Sequence, residues 1–243
     1  MRLDIVIPAH NEEHRIDRTL TAYRAGCPQP TTRFHVALDH CTDRTADIVR
    51  GHQRADGRVT LHEYPKLGKG GVIAETFRRS DADLVGFVDA DGATPPAELL
   101  RLADVAAERA DGAIASRHHP ASVLPAARPL VRRLTSAGFA FGVRRLLGLP
   151  YRDTQCGAKV LRGDVARDLV ARTTVRDLLF DVDLLVVARD RGHRVVEVPT
   201  IWVDQEGSRV DPVADTRRMG ASLLRLWAVS RRRRARGTVA HAA

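Results

Sequence analysis

The chain has 243 residues, 44% of them hydrophobic, and a formal charge of +9. That suffices for one globular domain with a substantial core, and no apolar run approaches the roughly 20 residues of a membrane-spanning helix. Aromatic residues are 5% of the chain and scattered. They build no base-stacking platform, which argues against nucleic acid and leaves the basic excess to an anionic membrane surface or to solubility.

The elements alternate. LDIVIP reads as a strand that closes on Pro8, and Asn11 followed by Glu12 and Glu13 predicts a helix to about Tyr23. FHVALD, Phe34 to Asp39, is a second strand, with a helix capped by Thr42 or Asp43 running to about Gln53. VTLHEY, Val59 to Tyr64, is the third, and the glycine-rich KLGKGG leads into a helix at Val72 to Arg79. LVGFVD is the fourth, and Pro95-Pro96 opens the next helix, as proline does at a first turn. GAIASR, Gly112 to Arg117, is the fifth. Helix from Arg128 to Leu147, strand from Cys156 to Leu161, helix over Thr174 to Arg189, strand over VVEVPTIWV and an amphipathic helix from Asp215 to Val229 complete the reading. This order predicts a single α/β domain with a mostly parallel sheet flanked by helices, and ligands at the carboxyl ends of its strands.

The odd, dispersed set Cys27, Cys41 and Cys156 fits neither a disulfide framework nor a zinc site and suits a reducing compartment. MRLDIVIPAHNEE is no signal peptide, because an acidic residue interrupts the short apolar run. A cytoplasmic protein is expected.

Three stretches carry chemistry. Asp89 and Asp91 leave a buried strand with one small residue between them. Like charges so close repel, and a hard cation such as Mg²⁺ or Mn²⁺, shared with substrate phosphates, would hold them. The alternative is a helix cap beside a solvated acid. In KLGKGG, the glycines let backbone approach an anion and Lys69 can meet a phosphate; the alternative is a solvated turn. In VIPAHNEE, Pro8 ends a strand where a base could lie, and Glu12 or Glu13 could accept from ribose hydroxyls, unless both only complement a helix dipole.

Taken in order, VIPAHNEE, ALDHCTDRT, LGKGG, VDADGAT, Ser116-Arg117, DTQCGAKV, FDVDLL and VPTIWVDQEGSRV resemble the family 2 inverting glycosyltransferases, nearest the branch that loads polyprenyl or dolichyl phosphate with glucose or mannose. The likeness runs to about Trp227. DTQCGAKV and the segment from Trp202 to Arg209 favour the glucosyl members.

The resemblance implies a GT-A fold over 1–230, with a nucleotide-sugar half at 1–117, an acceptor half at 118–230, and a disordered basic tail at 231–243. It implies donor contacts from Pro8, Glu12, Asp39, Lys69, Asp153 and Gln155, with Lys159 in the same segment as the last two. It implies divalent metal on Asp89 and Asp91, and acceptor-phosphate contacts from Arg117, Arg132 and Ser136, where Arg132 is preferred to Arg133 for its spacing to Ser136. Asp183 stands where the family carries glutamate, or aspartate in its ED pair. The chain departs from the family at LDHCT, where relatives read DDGS, and at His10, where an aromatic is usual.

The expected reaction moves a hexose, glucose by preference, from UDP- or GDP-hexose to polyprenyl phosphate. A phosphate monoester is already an anionic nucleophile and needs positioning rather than deprotonation. A hydroxyl acceptor would need a base, for which Asp183 is the candidate. LLRLWAVSRRRRARG would lay Leu223, Leu224, Leu226 and Trp227 on a leaflet with arginines at the headgroups, unless it is a core helix with a basic end. Competing readings are transfer to a soluble small molecule, and a nucleotide-sugar binder without turnover. A nucleotidyltransferase would need a basic phosphate loop after the first strand, where this chain is acidic.

Overall fold

A computed structural model describes residues 1–125, 130–203, 220 and 222–233. Strands β1 (Leu3–Ala9), β2 (Thr32–Asp39), β3 (Val59–Tyr64) and β4 (Leu84–Val88) alternate with helices α1 (Ile16–Gly26), α2 (Thr45–Ala55) and α3 (Lys69–Arg79). Then come α4 (Pro96–Glu108), β5 (Gly112–Ser116), α5 (Leu130–Leu147), β6 (Ala158–Arg162), α6 (Gly163–Arg172), α7 (Phe180–Asp190) and β7 (Val195–Pro199). A further helix occupies 222–233.

One seven-stranded sheet runs in the order β3-β2-β1-β4-β6-β5-β7. Its neighbours are parallel except β6, which is antiparallel to both β4 and β5. The mostly parallel sheet expected from the sequence is therefore present. The chain steps outward from β1 to β2 and β3, then returns to place β4 on the other side of β1, so the order reverses there and a crevice opens at the carboxyl ends.

Both faces of the inner strands are covered, which is why β1 and β4 read as nearly unbroken apolar runs. On one face Val6, Val85 and Phe87 pack with Ile73 and Phe77 of α3, Leu169 of α6 and Leu184 of α7. On the other, Ile5, Ile7, Phe34 and Val88 pack with Leu20 of α1, Val49 of α2 and Leu102 of α4.

The structure departs from the expected elements in several places, among them α7, which starts at Phe180 and not at Thr174. Helix α1 starts at Ile16, not Asn11, because Asn11 takes a positive φ of 55° and its side chain binds the Thr42 backbone amide at 2.8 Å. Helix α6 is absent from the expected elements, although Val165, Ala166, Leu169 and Val170 carry a helical period. Strand β7 ends at Pro199, and only an isolated Val123–Ile201 bridge continues toward Val203. Of the helix expected from Asp215, the described part is 220 and 222–233, so the tail expected from 231 begins as helix. Asp204 to Arg209, and the tail from 234 onward, lie outside the described residues.

Candidate active site

Asp89 and Asp91 lie just beyond β4, at the reversal point. The Asp89 amide donates to the Gly157 carbonyl at 3.0 Å, extending the β4–β6 pairing by one residue. A Cβ at Gly157 would run into the Asp89 carboxylate and turn it from its present place. The loop is pinned from α1: Thr19 Oγ1 donates to the Ala90 carbonyl at 2.8 Å and the Tyr23 hydroxyl to the Thr94 carbonyl at 2.9 Å. Asp91 Oδ1 accepts the Ala93 amide at 2.9 Å, an Asx turn that fixes the side chain. Burial, then the charge of Asp89, push the Asp91 carboxyl above its usual range. No group of three or more His, Cys, Asp or Glu side chains able to hold a metal occurs among the described residues. Two carboxylates fit Mg²⁺ or Mn²⁺, which complete their shells with substrate oxygens and water.

Beside the acids lies a group of lysines that only the fold assembles. Lys69, the first residue of α3, places Nζ 2.6 Å from Asp89 Oδ1 and 3.8 Å from Asp181 Oδ2. Lys159 of β6 reaches Asp181 Oδ1 at 2.5 Å and the Cys156 carbonyl at 2.8 Å. Both ammonium groups sit over the Phe87 ring, at 5.5 and 5.3 Å from its centroid. Burial alone would lower the Lys69 ammonium, but Asp89 and Asp181 raise it, so it stays charged.

Asp39 closes β2 and is buried. Its Oδ1 accepts the amides of Leu67 at 2.6 Å and Gly68 at 3.2 Å, so it shapes the glycine turn that launches Lys69. Gly68 has φ +77°, and a Cβ there would press on the Arg176 carbonyl. Pro8 is buried in β1 at the same sheet edge. Glu12 is engaged by Arg15 through two bonds of 2.6 and 2.9 Å, and neither it nor Asp39 presents a wholly free carboxylate.

On the β5 side, Arg117 forms a fork with Asp153, Nε to Oδ2 at 2.6 Å and Nη2 to Oδ1 at 2.8 Å, and its amide binds the same carboxylate at 2.9 Å. The guanidinium lies 5.0 Å from the Trp202 ring centroid. Burial opposes ionisation of Asp153, and Arg117 outweighs it and holds the carboxyl below the carboxylate range. Glu197 of β7 accepts the amides of Arg152 and Asp153 at 2.8 and 2.7 Å and so fixes that turn. Gln155 Nε2 donates to the Leu178 carbonyl at 3.0 Å. Ser136 of α5 meets His118 Nε2 at 3.2 Å, one residue from Arg117. The side chains of Arg132 and Arg133 lie outside the described residues.

The sequence-based candidate base, Asp183, takes a different place. It is 0% exposed, and its Oδ2 accepts the amides of Thr174 and Val175 at 2.7 and 3.0 Å. Its Oδ1 pairs with Arg233 at 2.7 Å. Residues two apart on a helix point about 200° apart, so only one acid of FDVD can face the lysines, and that one is Asp181. Asp183→Asn is therefore expected to lower stability by about 1.5–3 kcal/mol, the range for hydrogen bonds to a charged group. Turnover at low temperature should stay within a few-fold of wild type; parallel melting and rate measurements check this, and a thousandfold rate loss in a fully folded variant would restore Asp183 as the base.

In the helix at 222–233 the core-helix alternative holds for two of the four apolar residues. Leu223 and Leu226 are packed in the core, 6% and 1% exposed, and are not available to a leaflet. Leu224 is exposed, and Trp227 is half-buried beneath Arg231.

The Glycosyl transferase family 2 description matches residues 4–170 of this chain. The chain belongs to that family. It is a glycosyltransferase, and its family 2 fold explains why the acids emerge at the reversal point. Among relatives, it is 32% identical to the dolichyl-phosphate beta-glucosyltransferase of Drosophila melanogaster over 93% of this chain and 74% of that one. It is 30% identical to the glycosyltransferase AglD of Haloferax volcanii over 93% of this chain but only 37% of AglD, so it spans well under half of that relative. A similar fold is seen in Mycobacterium tuberculosis glucosyl-3-phosphoglycerate synthase, solved with Mn²⁺, UDP and glucosyl-3-phosphoglycerate. It superposes with a TM-score of 0.69 at 16% identity, over 94% of this chain and 79% of that one, a likeness of fold.

Proposed function

We infer that the protein transfers glucose from UDP-glucose to polyprenyl phosphate with inversion at the anomeric carbon, aided by Mg²⁺ or Mn²⁺. The observation that carries this reading is the grouping of Asp89, Asp91 and Lys69 at the end of β4, beside a glycine turn braced by Asp39. The family relative named for dolichyl phosphate and glucose supports the acceptor and the sugar. The fold neighbour solved with Mn²⁺ and UDP supports the metal and the nucleotide.

In this reading Asp89 and Asp91 would hold the metal, which would supply Lewis-acid neutralisation of the departing diphosphate. Lys69 adds a fixed positive charge on the same leaving group, in a partly dry site where it counts for more than in water. A phosphate oxygen of the acceptor attacks the anomeric carbon as the bond to the nucleotide diphosphate breaks. The attacking dianion carries no proton to remove, which agrees with Asp183 being buried away from any base role. Arg117, whose fork is held by Asp153, would offer its remaining N–H donors to the acceptor phosphate, and Ser136, hydrogen-bonded to the adjacent His118, would support it. Leu224, Arg225, Arg231 and Arg232 are exposed on the helix at 222–233 and would meet an anionic leaflet at the cytoplasmic face. No described helix is long and apolar enough to cross a membrane.

A second reading is transfer to a soluble phosphate ester, favoured by the fold neighbour's phosphoglycerate product. Radiolabelled UDP-glucose and Mn²⁺, offered with detergent-solubilised polyprenyl phosphate or with 3-phosphoglycerate, separate the two. Label in the lipid phosphate alone is the expected result. Label in the soluble ester alone would move the assignment to the second reading, and label in neither, with UDP-glucose intact, would overturn the transfer reading for both acceptors.

A further inference from the structure

Lys69 occupies a position that a cation would claim. Its Nζ stands 2.6 Å from Asp89 Oδ1, while Asp181 Oδ2 waits at 3.8 Å and the other Asp181 oxygen is taken by Lys159. An ammonium that close takes up an oxygen of Asp89 and repels an incoming dication.

We propose that Lys69 is the resident counter-ion of Asp89, and that its transfer to the nucleotide's phosphates couples metal binding to donor binding. This rests on the reading of Asp89 and Asp91 as the metal ligands. In the free protein the ammonium neutralises Asp89 and keeps metal affinity low. A nucleoside diphosphate offers that ammonium a better partner, and Asp89, released, would be free to hold the metal together with Asp91.

The geometry makes the exchange a side-chain event. Lys69 begins α3 on a backbone fixed by Gly68, whose carbonyl accepts the Val72 amide at 3.1 Å, and by Asp39 beneath the turn. Its ammonium already lies between two carboxylates, over a flat Phe87 ring 5.5 Å from the centroid, so a small rotation moves it from one partner to another. By reciprocity the metal must tighten nucleotide binding by the same factor as the nucleotide tightens the metal.

The test measures Mn²⁺ binding by the loss of its free electron paramagnetic signal, with and without UDP, in wild type, Lys69→Gln and Lys69→Arg. Wild type should bind Mn²⁺ weakly alone and far more tightly with UDP. Removing the charge should raise the affinity of the UDP-free protein about tenfold or more, since a unit charge a few ångströms from the ligand is lost. The gain from UDP should shrink accordingly, while Lys69→Arg keeps the wild-type pattern. An unchanged or weakened UDP-free affinity in folded Lys69→Gln, with wild type still showing the UDP gain, would overturn the proposal and leave the metal assignment standing. Absence of Mn²⁺ binding to wild type even with UDP would instead remove the metal reading, and the proposal with it.

Discussion

Asp91→Asn is expected to lower transfer about a thousandfold, the scale on which a Lewis acid stabilises a departing diphosphate. The melting temperature should hardly move. Asparagine is nearly isosteric, and its Oδ1 can still accept the Ala93 amide that Asp91 accepts at 2.9 Å, so the Asx turn survives. What goes is the charge, and with it the like-charge repulsion from Asp89 that pushes the Asp91 carboxyl upward. Loss of rate with an intact melt would mark a chemical role rather than a structural one. Metal-dependent transfer at the wild-type rate would leave the helix-cap alternative as the better account of this acid.

Asp181→Leu is expected to have the largest effect on stability, about 3–5 kcal/mol, because it strands a buried cation. Lys159 is 1% exposed and its ammonium has Asp181 at 2.5 Å and one carbonyl at 2.8 Å as its partners. Lys159→Met should cost less, since Asp181 keeps Lys69 within 3.8 Å. The double variant should regain most of the stability, because removing both charges leaves an apolar contact with Phe87 rather than an unpaired ion. Its transfer rate should stay low, as Lys69 has then lost its second carboxylate. Chemical denaturation of the four proteins gives the coupling energy. Additive losses would show that the pair is not an energetic unit.

Most of the fold was legible in the sequence. All seven strands follow from apolar runs of four to eight residues bounded by turn residues, and their alternation with helices gives a mostly parallel sheet. Asp89, Asp91 and Lys69 were singled out from residue chemistry and from the family likeness, and the structure sets Lys69 against Asp89. Local signals suffice to single these residues out because each lies in one strand-to-helix turn, although the turns themselves are held from afar by Asp39, Thr19 and Tyr23.

What the sequence left open depends on pairings between distant segments. FDVD offers two acids with no local reason to choose between them. The choice of Asp181 comes from the rotation of α7 against β6, which also buries Asp183 under Thr174 and Arg233, 50 residues along the chain. Glu197 gave no signal, because its partners are the amides of the 152–153 turn. The tail's leucines and arginines fit either a leaflet or a core helix with a basic end, and Leu223 and Leu226 are drawn inward by a core that exists only once α5 and α7 are packed. Sequence alone set the elements and the chemistry each turn can offer, since these follow from local propensity and period. Tertiary packing decided which charges meet, because burial and pairing are properties of side chains brought together from far along the chain.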